Sequence, residues 1–359
     1  MAQALRLAER GLYTTQPNPR VGCVIAHGDR AVGEGWHRQA GGPHAEIFAL
    51  REAGERALGA TAYVTLEPCG LHGRTPPCAD ALIAAGVARV VIASEDAFQC
   101  EGGALDRLRA AGIAVESGLM REVARELNRG FFSRIERGRP WLRVKLATSL
   151  DGRTALANGE SKWISGAAAR ADVQRWRARS SAILTGIGTV LADDPALTVR
   201  LDPLSIGCAG EESCIAPLRT VLDRDLRTPK GARMLDPSAP TLVLHAHHAR
   251  PGDDRFAHAG LAEVESGPHG LDLLHVLRLL AARGMNEVQV EAGATLCGAL
   301  FAAGLVDELL LYVAPVLLGD SARPLLQLPA LSDMAARWKL QVVDQRQVGD
   351  DRRLLLRPA

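Results

Sequence analysis

At 359 residues the chain exceeds what one ordinary hydrophobic core holds, so two domains are expected. An apolar fraction of 47% and a charged fraction of 23% are those of a soluble globular protein. The formal net charge is +1 and both signs are spread along the chain. With no basic tail or arginine-rich arm, this argues against a long nucleic acid as partner but not against a single phosphate.

The N-terminal Met1–Arg10 reads as a charged amphipathic helix rather than a signal peptide. Short β-rich runs at 21–26, 62–66 and 89–93 then alternate with helical patterns near 44–57, 78–86 and 103–112, which predicts a sheet with helices on its faces. One long polar helix is expected over 121–137, stopped by Gly138-Arg139-Pro140, so the first domain spans 1–138 and the second 141–359. The second half offers strands near 141–147, 182–185, 219–222, 241–245, 287–290 and 308–313, helices near 166–180, 271–283 and 295–303, and a C-terminal hairpin. Residues 201–217 read as a loop insertion. The most apolar stretch, Leu309–Leu318, is too short to span a bilayer and contains Pro315. Seven cysteines in such a chain point to a reducing, cytoplasmic compartment. There Cys208 and Cys214 are expected to stay unbridged, and a Cys pair is more often metal-binding.

His44, Cys69 and Cys78 form a ligand set for Zn²⁺ that leaves a fourth position for water. Glu46, two residues past the histidine, is placed to shuttle protons rather than to ligate. The order His-x-Glu, Pro-Cys, Cys is that of zinc-dependent nucleobase deaminases. Pro43 and Pro77 stand immediately before His44 and Cys78, so both ligands are expected at helix N-termini, where backbone N–H groups favour thiolate. A closed structural zinc would need a fourth ligand, for which His37 or His72 are the candidates.

The eight residues between Cys69 and Cys78 depart from the common Cys-x-x-Cys spacing. With Thr15-x-Pro17-Asn18-Pro19, Gly41-Gly42-Pro43-His44-Ala45-Glu46 and the run Tyr63–Cys78, they resemble the pyrimidine deaminases of the riboflavin pathway. That resemblance implies that Asn18 binds the pyrimidine and that Arg74 meets the substrate phosphate. Two positions depart from the family pattern, Gly70-Leu71 after the first cysteine and Asp96-Ala97-Phe98-Gln99 after the third strand.

In the second half, Thr185-Gly186-Ile187-Gly188-Thr189 and the turn from Val290 into Ala299 each follow a strand and could take a phosphate-bearing cofactor. Neither is a Gly-x-Gly-x-x-Gly fingerprint, so a doubly wound dinucleotide domain is not expected. Lys145–Gly152, Gly159–Ile164 and the run from Arg177 to Arg200 resemble the reductase half of the bifunctional RibD-type enzymes. The resemblance implies an α/β chain with an N-terminal cytidine-deaminase-like α/β/α domain and a C-terminal dihydrofolate-reductase-like domain using NADPH. Ala147, Trp163, Thr189 and Asp193 would line the NADPH site, with Gly293, Ala294, Thr295, Leu296, Cys297, Gly298 and Ala299 at its phosphates. Ser161, Arg177, Leu197, Arg200 and Glu291 would hold a sugar-phosphate, with Arg177 and Arg200 as a phosphate clamp. Arg224 stands where the family has serine.

The expected function is zinc-dependent deamination of 2,5-diamino-6-ribosylamino-4(3H)-pyrimidinone 5′-phosphate followed by NADPH reduction of the ribosyl group to ribityl. Lys145 and Asp193 are unranked candidates for the proton donor in that reduction. The partner is thus a phosphorylated pyrimidine, with no nucleic acid and no membrane, and homo-oligomerisation is left open. The rivals are a tRNA or nucleoside deaminase with an inactive C-terminal domain, and a binding protein with a structural zinc.

Overall fold

The computed structural model describes residues 1–70, 77–96, 103–202, 214–267 and 270–359. Arg74, His72, Leu71, residues 97–99 and Cys208 lie outside them. Contacts divide the described chain into two compact units, Met1–Gly138 together with Cys214 and Ile215, and Arg139–Asp202 with Ala216–Ala359. Ile215, expected in the second half, donates its amide to Tyr13 O at 3.2 Å.

The first unit runs α1 (Ala2–Glu9), β1 (Gly22–His27), β2 (Arg30–Trp36), α2 (Ala45–Ala53), β3 (Thr61–Leu66), α3 (Cys78–Ala84), β4 (Arg89–Ser94), α4 (Ala104–Ala110), β5 (Ala114–Ser117), α5 (Arg121–Leu127) and α6 (Arg129–Arg137). Its sheet has the order β2-β1-β3-β4-β5. The β1 strand is antiparallel to both neighbours, while β3, β4 and β5 are parallel. Ala45, Ala49 and Ala53 recur every four residues and give α2 a flat buried stripe. That stripe lies directly on β2, because a Cβ at Gly35 would come within 2.2 Å of Ala45 O and one at Gly33 within 2.2 Å of Ala49 O. Glycine at these two strand positions lets the helix backbone touch the strand.

The second unit comprises β6 (Trp141–Ser149), β7 (Arg153–Ala155), α7 (Ala167–Ala178), β8 (Ala182–Gly186), α8 (Ile187–Asp193), β9 (Leu218–Leu222), β10 (Thr241–Ala246), β11 (Gly260–Val264), β12 (Ser266–Gly267), β13 (Gly270–Leu271), α9 (Leu273–Ala282), β14 (Glu287–Val290), α10 (Ala294–Ala302), β15 (Glu308–Ala314), β16 (Arg323–Pro324), β17 (Leu340–Val348) and β18 (Asp351–Pro358). Its main sheet is ordered β11-β10-β9-β8-β14-β6-β15-β18-β17. The strands from β11 to β15 are mutually parallel, and the β17–β18 hairpin closes one edge antiparallel.

The two faces of this sheet differ in chemistry. One carries Leu142, Val144, Val288, Val290 and Leu309 against Val276, Leu280, Leu300 and Phe301 of α9 and α10. The opposite face, under α7, buries charge. Arg143, fully buried, bonds Glu308 at 2.7 Å and Glu287 at 2.9 Å, and its guanidinium lies 4.5 Å from the Trp176 ring centroid. Pairing of this kind is what keeps a charge tolerable away from water.

Two expectations fail. The helix foreseen over 121–137 is two helices, divided at Asn128, whose φ of −108° and ψ of 19° leave the α region and whose side chain bonds the Arg20 peptide. Cys214, expected to stay unbridged, is disulfide-bonded, against the expectation drawn from compartment. No helix among the described residues is long and apolar enough to cross a membrane.

Candidate active sites

In the first unit, His44 precedes α2 as its N-cap, Cys78 opens α3 after Pro77, and Cys69 follows β3. The ligand atoms His44 Nδ1, Cys69 Sγ and Cys78 Sγ lie within 4.8 Å of one another. His44 Nδ1 is 3.2 Å from Cys78 Sγ and 3.5 Å from Cys69 Sγ, and the Cys78 amide donates to Cys69 Sγ at 3.2 Å. Hydrogen bonding with the Cys78 thiol draws the Cys69 thiol down, while the same bond and burial push Cys78 up. Burial pushes the Glu46 carboxyl up, although His44 opposes it. Glu46 is 2% exposed, and its Oε2 has no hydrogen-bond partner in the structure. A buried carboxylate oxygen left unpaired beside one imidazole and two thiols is costly unless something completes the site. The donor set is that of zinc with three protein ligands, and the residues fit that metal.

His37 is not a fourth ligand. Its ring meets that of His44 edge to face at 5.4 Å, and its Nδ1 lies 3.0 Å from Pro43 O. A carbonyl can only accept, so Nδ1 carries the proton and Nε2 accepts from Asn18 Nδ2 at 3.0 Å. Burial pulls the His37 pKa down, consistent with this neutral ring. The Asn18 amide is thereby oriented with its Oδ1 left to accept from a ligand.

In the second unit, Arg177 on α7 donates from Nε and Nη2 to the two oxygens of Glu291 at 2.7 and 2.8 Å, and from Nη1 to Thr198 O at 2.9 Å. Gln289 Nε2 adds a third donor to Glu291 at 2.8 Å. Burial alone would raise the Glu291 carboxyl, but Arg177 and Lys145 hold it at about 2. Burial lowers the Lys145 pKa, Arg177 reinforces this, and Glu291 opposes it. Of the two arginines that the sequence suggests as a phosphate clamp, Arg177 is tied to Glu291, and Arg200 is exposed with its backbone amide bonded to Gln174 Oε1 at 2.9 Å. Leu197 is 3% exposed with φ +51°.

Ala147 lies on β6 beside Tyr312, while Thr189 and Asp193 lie on α8. Trp163 is 71% exposed, with the Arg170 guanidinium 4.4 Å from its ring centroid, and Ser161 precedes it in the loop before α7. In the Gly293–Ala299 run, Gly293 and Thr295 are exposed at the start of α10, whereas Cys297 and Gly298 are buried. Gly298 serves packing, since a Cβ there would meet Gln327 O at 2.0 Å. Arg224 is exposed and paired to Asp225, which also meets His248 at 3.2 Å.

A family model described as the cytidine and deoxycytidylate deaminase zinc-binding region matches residues 1–94. A second, described as the RibD C-terminal domain, matches residues 140–352. Riboflavin biosynthesis protein RibD of Escherichia coli (strain K12) is 49% identical over 355 residues, 98% of this chain and 96% of that protein. The chain belongs to the RibD family. It is a bifunctional deaminase and reductase of riboflavin biosynthesis, built from a cytidine-deaminase domain and a dihydrofolate-reductase-like domain. The RibD of Haemophilus influenzae is 46% identical over 362 residues, covering 100% of this chain and 96% of that one. The solved RibD of Acinetobacter baumannii matches with a TM-score of 0.90 at 46% identity, over 100% of this chain and 97% of that chain. A Thermotoga maritima structure described as a diaminohydroxyphosphoribosylaminopyrimidine deaminase/5-amino-6-(5-phosphoribosylamino)uracil reductase matches at 0.85 and 32% identity, over 100% and 97%. His37 and Gln289 carry no local motif: the sequence offers His37 only as a spare zinc ligand and gives no sign of Gln289.

Proposed function

We propose that residues 1–138 deaminate 2,5-diamino-6-ribosylamino-4(3H)-pyrimidinone 5′-phosphate and that residues 141–359 then reduce its ribosyl group to ribityl with NADPH, in the cytoplasm. The observation that carries the first step is the unpaired Glu46 Oε2 beside the His44, Cys69 and Cys78 cluster. Zinc held by these three residues supplies the Lewis acidity that makes water a nucleophile near neutral pH. Glu46, with its carboxyl raised by burial, relays the two protons of the attacking water in turn, one to the ring nitrogen and one to the amine that leaves as ammonia. Asn18, oriented by His37, offers its amide oxygen to the pyrimidine edge. Arg74 is assigned to the substrate phosphate from the sequence resemblance.

In the second step NADPH supplies the hydride. Ala147, Trp163, Thr189 and Asp193 are assigned to the cofactor, with the exposed start of α10 at Gly293, Ala294 and Thr295 offering backbone N–H groups to its phosphates. Glu291, ionised between Arg177 and Lys145, accepts from ribose hydroxyls; Ser161, Leu197 and Arg200 complete the sugar-phosphate site. Lys145 is the proton donor favoured over Asp193, because its lowered pKa eases release of a proton to the opening sugar.

The test supplies the zinc-loaded protein with the diaminopyrimidine ribotide and NADPH, following ammonia release and NADPH oxidation together. Both are expected, with chelation stopping the ammonia and the oxidation that depends on it. Ammonia release without oxidation would overturn the reductase assignment. Neither signal from folded, metal-loaded protein would overturn the substrate.

A further inference from the structure

Asn128 separates α5 from α6 and is the N-cap position of α6, yet its side chain makes no capping bond there. An asparagine at that position normally accepts from the first turn of its own helix. Here the amide reaches across 108 residues of sequence. Oδ1 accepts the Arg20 backbone N–H at 2.8 Å, and Nδ2 donates to Arg20 O at 2.9 Å. Both polar groups of one peptide-chain residue are thus held by a single side chain that is 2% exposed. The Arg20 side chain returns to the same junction, donating from Nη1 to Leu127 O at 2.6 Å.

Arg20 lies two residues beyond Asn18, and the link between them is stiff. Pro17 and Pro19 flank Asn18, fixing φ on either side and restricting Asn18 itself, which precedes a proline. The near side of the loop is pinned by Thr15, whose O accepts the Asn18 amide at 2.9 Å and whose Oγ1 bonds Gly11 O at 3.0 Å. On the far side, the Gly22 amide donates to Thr65 Oγ1 of β3 at 3.1 Å. The clamp itself is anchored beside the metal ligands: Phe131 and Phe132 of α6 pack with Leu66 and Val21, at the end of the strand that leads to Cys69.

We infer that Asn128 is a positioning residue for deamination, holding the Pro17–Arg20 loop so that the Asn18 amide stands at the height of the metal cluster. This rests on Asn18 being the pyrimidine-binding residue.

A double-mutant cycle on the full-length, zinc-loaded protein tests it, with Asn18→Ala, Asn128→Ala and the pair assayed for ammonia release. Zinc content and reductase activity on the deaminated ribotide report that each variant is folded. Asn128→Ala is expected to raise the deaminase KM about tenfold with a smaller change in kcat, and to add less than about twofold once Asn18 is already alanine. Asn128→Asp, which keeps the acceptor for the Arg20 amide and loses the donor, is expected to fall between, and stands in if the alanine variant does not fold. Full effects of both substitutions that simply multiply, or a loss of zinc or reductase activity parallel to that of deamination, would overturn the inference and leave Asn128 a structural residue. Should Asn18→Ala alone leave deamination unchanged, the assignment of Asn18 fails first, and the positioning role falls with it.

Discussion

The two candidate active sites handle charge in opposite ways. The deaminase unit gathers an imidazole, two thiols and a carboxylate, and leaves Glu46 Oε2 without a hydrogen bond in a nearly water-free setting. The reductase unit brings Arg177, Lys145 and Glu291 together and pairs them internally before any ligand arrives. The residues of the first arrangement fit a metal ion, whereas the second is balanced by its own counter-charges. The first therefore depends on metal supply, and the second on pH and on keeping both members of a buried pair.

Substitutions should separate the two most sharply at the carboxylates. Glu46→Gln is expected to lower the deaminase kcat by about 10²–10⁴-fold with zinc content and reductase activity unchanged. Ammonia release at the parent rate from a zinc-replete Glu46→Gln protein would remove the proton shuttle. Glu291→Gln leaves the Arg177 guanidinium uncompensated. It should destabilise the second unit by about 3–5 kcal/mol in a denaturant melt and impair NADPH oxidation, while ammonia release persists.

Acid titration sharpens the same contrast. The Glu291 carboxyl is held at about 2 in the fold against an ordinary 4.5. Its contribution, about 3 kcal/mol, is therefore present above pH 4.5 and lost as pH falls towards 2. Denaturant melts of the parent across that window should show a loss that Glu291→Gln lacks. An equal acid dependence in both proteins would refute the pairing.

The smallest effect is expected at Gly35→Ala. The new methyl would press on Ala45 O and shift α2 off β2, with His44 and Glu46 at the start of that helix. Overpacking of this kind costs about 1–3 kcal/mol. It should appear as weaker zinc retention during competition with a chelator, with the reductase untouched.

Most strands and helices were legible in the chain because apolar periodicity marks them locally. Three edge strands were not: β5 and β11 have little apolar pattern to declare them, and β2 places glycines at two of its buried positions, Gly33 and Gly35. Residues 121–137 carry a continuous helical pattern and still divide at Asn128, whose side chain bonds the Arg20 peptide, far away in sequence. The reductase arginines illustrate the same limit. Arg177 looked like half of a phosphate clamp, and only the neighbouring strand reveals that its fork is held by Glu291, 114 residues on.

What the amino-acid order by itself determined is the chemistry of the deaminase centre. His44, Glu46, Cys69 and Cys78 sit in short segments with prolines that start their helices, and metal chemistry tolerates few other readings of that set. Tertiary structure alone decided how the remaining polar groups are committed: His37 to Asn18, Asn128 to the Arg20 peptide, Arg177 to Glu291. A ligand set announces itself through residue type and spacing, whereas a buried hydrogen bond depends on which partner the fold brings within 3 Å, and that is a property of packing rather than of any local run of sequence.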